Sequence, residues 1–125
     1  MKFRAIKENH LFSKAYTKGK RAVTSALAVY ILPDYAAKRL AECDPRRQFK
    51  NRYGLTVSTK VGGAVTRSRC RRIIREGLYS IEKRGILKQG FLIVIAARSK
   101  APQMKSTDIE HELDIAFSKL GMYKQ

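Results

Sequence analysis

The run FLIVIAA, Phe91 to Ala97, narrows what this chain can fold into more than any other segment. It is short, entered from Gly90 and rich in β-branched residues, so it reads as a strand. Successive side chains of a strand point to opposite faces, and every one of these is apolar. The sheet that holds it must therefore be covered on both faces, and such a strand suits a parallel neighbour. Seven residues are far too few to cross a bilayer. The opening MKFRAIKENH carries no apolar run of the secretory kind, so a cytoplasmic location is expected.

The remaining elements follow from periodicity. Asn9 to Gly19 reads as a short helix with Asn9 as N-cap and Gly19 as a left-handed stop. On it Leu11, Phe12, Ala15 and Tyr16 share a broad face, with Lys14 and Lys18 beside it. A strand spans roughly Ser25 to Leu32, with Leu27, Val29 and Ile31 on one face and Ala28, Tyr30 and Leu32 on the other. Lys20 to Thr24 is either a separate strand or an extended lead-in. Between Asp34 and Asn51, AAKRLAEC is compatible with a short helix and DPRRQFKN with a loop. A further strand runs from about Arg52 to Thr59, where Tyr53, Leu55 and Val57 alternate with Gly54, Thr56 and Ser58. The last helix shows capping-box spacing at Thr107 and Glu110. It buries Ile109, Leu113, Ala116, Phe117 and Leu120, and stops at Gly121. The expectation is one domain over residues 1–125, an α/β (α+β) two-layer sandwich in the order α-β-β-(β)-α-β-α.

The segment KVGGAVTRSRCRRIIRE, Lys60 to Glu76, carries the chemistry. Five arginines occupy nine positions after a glycine pair. At 100° per residue, Arg67, Arg71, Arg72, Arg75 and Ser68 fall on one arc of a helix running from near Gly63 to about Lys83. Cys70, Ile73, Ile74, Gly77, Leu78 and Ile81 take the opposite side. A merely solvated face would mix signs; here the only acid is Glu76. The whole chain holds 27 Lys and Arg against 10 Asp and Glu, a net +17. Charge of that size strains the compact state and points to a polyanionic partner. From Arg46 to Lys105 there are 16 basic residues and two acids, Glu76 and Glu82, so the middle of the chain is the adhesive part.

Catalytic groups are hard to assemble. His10 and His111 stand in separate helices without a nucleophile beside them. The late acids Asp108, Glu110, Glu112 and Asp114 read as complements to a helix dipole, and no acidic cluster for Mg²⁺ accompanies the arginines. Cys43 and Cys70 lack metal-ligand spacing, and Cys70 falls on the core arc, as in a reduced protein. Gly62-Gly63 can cradle a phosphate or make a tight turn, but lacks the lysine and hydroxyl of a nucleotide-binding loop. Phe12, Tyr16 and Tyr30 are readable as core or as a stacking platform. Lys14, Lys18 and Arg21 nearby favour a groove for single-stranded nucleic acid.

The string YGLTVSTKVGGAVTRSRCRRIIRE resembles the signature of the bacterial ribonuclease P protein component. The resemblance extends to the aromatic pair between Asn9 and Gly19, the Ala-Arg end of the strand at Phe91 to Arg98, and the terminal LGMYK. Two positions depart from it: Ser68 and Gly63 stand where the family carries asparagine. The resemblance implies a ribosomal-protein-like α/β fold with a left-handed β-α-β crossover. It also implies a protein subunit of a ribonucleoprotein endonuclease that removes the 5′ leader of precursor tRNA. By the same resemblance the RNA subunit performs the hydrolysis, with Mg²⁺ held mainly by that RNA and the substrate, so no catalytic or metal-binding residue is expected on this chain.

By the same resemblance, Lys60, Arg67, Ser68, Arg69, Arg71, Arg72 and Arg75 contact the RNA subunit. Phe12, Tyr16, Lys18, Arg21 and Tyr30 contact the leader. A monomer, one per RNA and away from any membrane, is expected. A structural ribosomal component and a stand-alone nuclease are the alternatives.

Overall fold

The computed structural model describes residues 4–36, 39, 42–43 and 51–124. The helix and loop expected within 36–50 lie outside the described residues, apart from Ala36, Arg39, Glu42 and Cys43. Five strands, β1 (Arg4–Ala5), β2 (Lys20–Val23), β3 (Leu27–Pro33), β4 (Arg52–Thr56) and β5 (Phe91–Ala97), form one sheet in the order β1-β4-β5-β3-β2. Three longer helices, α1 (Asn9–Lys18), α2 (Ala64–Lys83) and α3 (Ser106–Lys119), pack on it. The apolar run is the central strand. β5 pairs parallel with β4 and antiparallel with β3, and α2 connects the parallel pair.

The two faces are covered by different helices. Ile93 and Ile95 enter the main core with Leu27, Val29 and Ile31 of β3, under α2 and α3. Leu92 and Val94 face the other way, into a smaller core with Ile6 and Ala15. That second core is capped by α1. The chain is an α/β sandwich, as expected, and Lys20–Val23 is a separate strand antiparallel to β3.

Helix α2 buries Cys70, Ile73, Ile74, Gly77, Leu78 and Ile81, the arc that its periodicity predicts. Ile74, Leu78 and Ile81 are fully buried, and each contributes about 1.5–3 kcal/mol of transfer free energy. Gly77 lets α3 approach. A Cβ there would lie 3.0 Å from the Glu110 backbone nitrogen and 3.1 Å from the Ser106 carbonyl oxygen. Burial pushes the Cys70 thiol up, so it stays protonated and inert.

Several local expectations change. Gly19 has φ −75°, so it does not end α1 in a left-handed turn. It is needed for space: a Cβ would lie 2.5 Å from the Ala15 carbonyl oxygen and 2.7 Å from that of Ile31. Asn9 is the first helical residue and Glu8 the N-cap. The sheet strands stop at Thr56 and begin at Leu27, inside the bounds read from sequence. The capping pair of α3 is Lys105 and Asp108, in place of Thr107 and Glu110, with the Lys105 N–H donating to Asp108 at 3.1 Å. The acids of α3 do more than complement a dipole. Glu112 is buried and accepts from Ser25 Oγ and, at 3.1 Å, from the Ala26 N–H, gripping the β2–β3 turn. Glu110 and Asp114 pair with Arg84 at 2.7 and 3.1 Å. Gly121, with φ 68°, does stop the chain after α3.

Candidate nucleic-acid interface

The basic surface begins where β4 leaves the sheet. Val57 tucks into the core, Thr59 to Val61 make a turn that exposes Lys60, and Gly62, at φ 157°, sets the entry to α2. Gly63 is the N-cap, and nothing lies within 4 Å of where its Cβ would be. With Cys70 and Ile74 fixed inward, Ser68, Arg69, Arg72 and Arg75 are exposed, and Arg67 and Arg71 half-buried. Among the described residues, only Arg72 of these has an ion pair, with Glu76 at a loose 4.0 Å on an exposed surface. That contact contributes next to nothing. The buried Nε of Arg67 donates to no acceptor among the described residues. Among the described residues, the helix therefore presents a cluster of cations with no counter-charge beyond that loose Glu76 contact.

The aromatic site forms on the α1 face. Directly opposed strand residues share a face, and the register lines up Arg21, Tyr30, Val94 and Gly54 across β2, β3, β5 and β4. The next row on that face is Val23, Ala28, Ala96 and Thr56. Phe12 of α1 lies on Gly54, where a Cβ would come within 2.5 Å of its ring. Tyr16 meets Tyr30 edge to face, ring centroids 4.8 Å apart, an arrangement worth about 0.5–1.5 kcal/mol beyond burial. The Tyr16 hydroxyl reaches Thr56 Oγ1 at 3.1 Å. Tyr16 nevertheless remains 40% exposed. Phe12 and Tyr30 are half-buried, and Lys18 and Arg21 are exposed. The result is a shallow groove with aromatic rings on one side, the small residues Ala28 and Ala96 on its floor, and cations at its edge.

Both sites stand at one end of the sheet, because the floor strand β4 runs straight into the loop that opens α2. The structure thus gathers Phe12, Tyr16, Arg21 and Tyr30 in one place. It also gathers Arg67, Ser68, Arg71, Arg72 and Arg75 on one helix face.

Sequence reasoning missed the framework beneath α1. Arg52, at the start of β4, donates from Nε to Asp34 at 2.7 Å and from an Nη to the other Asp34 oxygen at 3.0 Å. It also reaches Glu8 at 3.1 Å. Bonding to Asp34 raises the Arg52 pKa still further, and the pair is almost wholly buried. Glu82 was likewise missed. It is buried in α2 and accepts from the Tyr53 hydroxyl, from Asn51 at 3.2 Å and from Gln89 at 2.8 Å. Burial, then the Glu82 charge, pushes the Tyr53 hydroxyl well up.

Replacing Gly54 with Ala tests the link between floor and rings. The added methyl displaces the Phe12 ring, and overpacking of this kind costs about 1–3 kcal/mol. The expected result is a small fall in urea midpoint together with weaker binding in the groove. Unchanged stability and binding would mean that Phe12 has room to spare.

The fold is a basic α/β sandwich whose arginine helix, among the described residues, pairs only with Glu76 and stands beside an aromatic groove. Comparison identifies the family. The family model Ribonuclease P matches residues 1–121. The Ribonuclease P protein component of Clostridium acetobutylicum is 34% identical over 122 residues, covering 98% of this chain and 92% of its own. That of Clostridium botulinum strain Loch Maree is 34% identical over 123 residues, covering 98% and 99%. The RNase P protein of Staphylococcus aureus superposes with a TM-score of 0.73 at 26% identity, covering 98% of this chain and all of that one. The Thermotoga maritima RNase P protein, at 19% identity and a TM-score of 0.68 over 90% of this chain and 93% of its own, shares the fold. The chain belongs to the ribonuclease P protein family, which implies a place in an endoribonuclease complex. Among the described residues no helix is long and apolar enough to cross a membrane, and no three His, Cys, Asp or Glu side chains converge as a metal site.

Proposed function

We propose that this chain is the protein subunit of a ribonuclease P holoenzyme that removes 5′ leaders from precursor tRNA. The observation that carries the reading is the division of labour at one end of the sheet. An arginine face suits structured RNA, which is recognised through backbone and shape. A shallow aromatic groove suits a flexible strand whose bases can unstack. Lys60, Arg67, Ser68, Arg69, Arg71, Arg72 and Arg75 hold the RNA subunit; Phe12, Tyr16, Lys18, Arg21 and Tyr30 hold the leader. The RNA subunit and substrate bind the Mg²⁺ that supplies the hydrolytic chemistry. This chain positions the leader and lowers the Mg²⁺ needed, as one cytoplasmic protein per RNA.

Reconstitution with the cognate RNA subunit is the test. Adding the protein raises leader cleavage at low Mg²⁺; no gain would sink the assignment, and cleavage by rigorously RNA-free protein would replace it with a stand-alone nuclease. Tyr30→Ala is expected to weaken precursor binding roughly tenfold and leave mature tRNA unchanged, since one stacked base is worth about 1–3 kcal/mol. Equal losses for both substrates would make Tyr30 merely structural.

A further inference from the structure

The corner between α1 and β2 opens onto a cavity of about 470 Å³, within the range of roughly 300–1,000 Å³ that holds a small ligand. Ile31, Phe91 and Leu120 form its apolar wall; Lys18, Lys20 and Lys88 line it, and among the described residues no carboxylate does. Ile31 belongs to the main core, and Phe91 and Leu120 pack against it, so the cavity reaches toward the α2–α3 face of the sheet. Lys18 ends the helix on the opposite face. Gly19 joins the two sides, pressed so close to the Ala15 and Ile31 carbonyl oxygens that Lys18 and Lys20 must flank a tight corner. Arg21, next along β2, stands opposite Tyr30 in the aromatic groove. A line of positive charge therefore runs from the groove, around the β2 edge, into the cavity.

We propose that this cavity is a second nucleotide site, taking one unstacked nucleotide of the 5′ leader beyond the stretch that lies in the aromatic groove. The phosphate sits among Lys18, Lys20 and Lys88, and the base lies against Phe91 and Leu120. The leader is the occupant because the charge that starts at Arg21 in the groove continues along the β2 edge through Lys20 to Lys18 in the cavity, and the cavity admits a lone base, whereas the bases of a folded RNA are paired. The site rests on the leader-binding reading above.

The experiment measures affinity of the reconstituted holoenzyme for precursors of increasing leader length, with Lys20→Ala/Lys88→Ala, two exposed positions outside the groove. Wild-type affinity climbs with leader length and then levels off. In the variant it levels off at a shorter leader, and the longest precursors bind about tenfold weaker. Their salt slope falls by up to roughly 0.7, the value for one neutralised single-strand phosphate. Short-leader precursors and mature tRNA are unaffected, and Lys20→Arg/Lys88→Arg retains wild-type behaviour. An unchanged length profile overturns the proposal, as does an equal loss for mature tRNA or a weakened RNA-subunit complex. Tyr30→Ala separates the two readings. If it remains leader-selective while the lysine variant does nothing, the cavity fails alone; if it loses selectivity, both fail.

Discussion

Asp34→Ala is expected to destabilise the protein by about 3–5 kcal/mol, because it strands the Arg52 guanidinium, 8% exposed, without its bidentate partner. The penalty is the cost of a buried charge left unpaired, and Glu8, half-exposed and making a single contact, cannot offset it. Against a typical domain stability of about 5–15 kcal/mol, this is a large fraction. The damage is also expected to reach the aromatic groove. Arg52 ties the end of β3 and the start of β4 to the residue that begins α1, so α1 and its aromatic rings lose their anchor. Urea unfolding checks the prediction, and Asp34→Ala/Arg52→Leu, which removes both charges, is expected to recover most of the loss. A single-variant loss under about 1 kcal/mol would mean that water screens the pair.

Arg71→Ala/Arg72→Ala/Arg75→Ala is expected to leave the fold intact, since among the described residues these guanidiniums have no buried partner, and to act on RNA binding. Binding to the RNA subunit is expected to fall about a hundredfold at moderate salt. The slope of log affinity against log salt should shrink by up to about three, nearly one for each phosphate that an arginine no longer neutralises. Filter binding across a salt series reads both. An unaltered slope, even with weaker binding, would show that the arginines act through helix stability and not through phosphate.

The two cores and the arginine face were legible in the sequence because each rests on a period that local residues set. FLIVIAA pointed to cover on both faces and suited a parallel neighbour, and β5 has both, with an antiparallel neighbour on its other side. Cys70 to Ile81 chose the inward side of α2, which left the arginines nowhere but outside. What was not legible depends on partners distant in the chain. A strand of two residues at Arg4–Ala5 has no periodicity and exists through its pairing with β4. Glu82 was legible only as one of two acids in a basic stretch and Glu112 only as a dipole complement; what holds them is Asn51 and Tyr53 in one case and the Ser25–Ala26 turn in the other. The α3 capping box lay two residues early because Lys105 donates its backbone N–H to Asp108 and no capping hydroxyl marks the place. Gly19 read as a left-handed stop because glycine after a helix most often is one; the clash it avoids is with a strand that the helix meets only after folding. For the groove, the rings were visible and the floor was not: Gly54, Ala28 and Ala96 matter through the register of three strands.

The sheet order β1-β4-β5-β3-β2 has a consequence for how the molecule comes into being. Its middle strand is its last in sequence. Until residue 97 is available, β1 with β4 and β2 with β3 are two separate pairs, each too small to persist in water. The arginine helix, made earlier, has no surface to bury its apolar side on. A chain that has not yet reached β5 is thus strongly basic, with its sheet unjoined and the apolar side of its arginine helix uncovered. The groove and the arginine face are consequently presented only once β5 is in place, and a chain truncated before Phe91 is expected to attract polyanions by charge alone, with neither groove nor helix face to select among them.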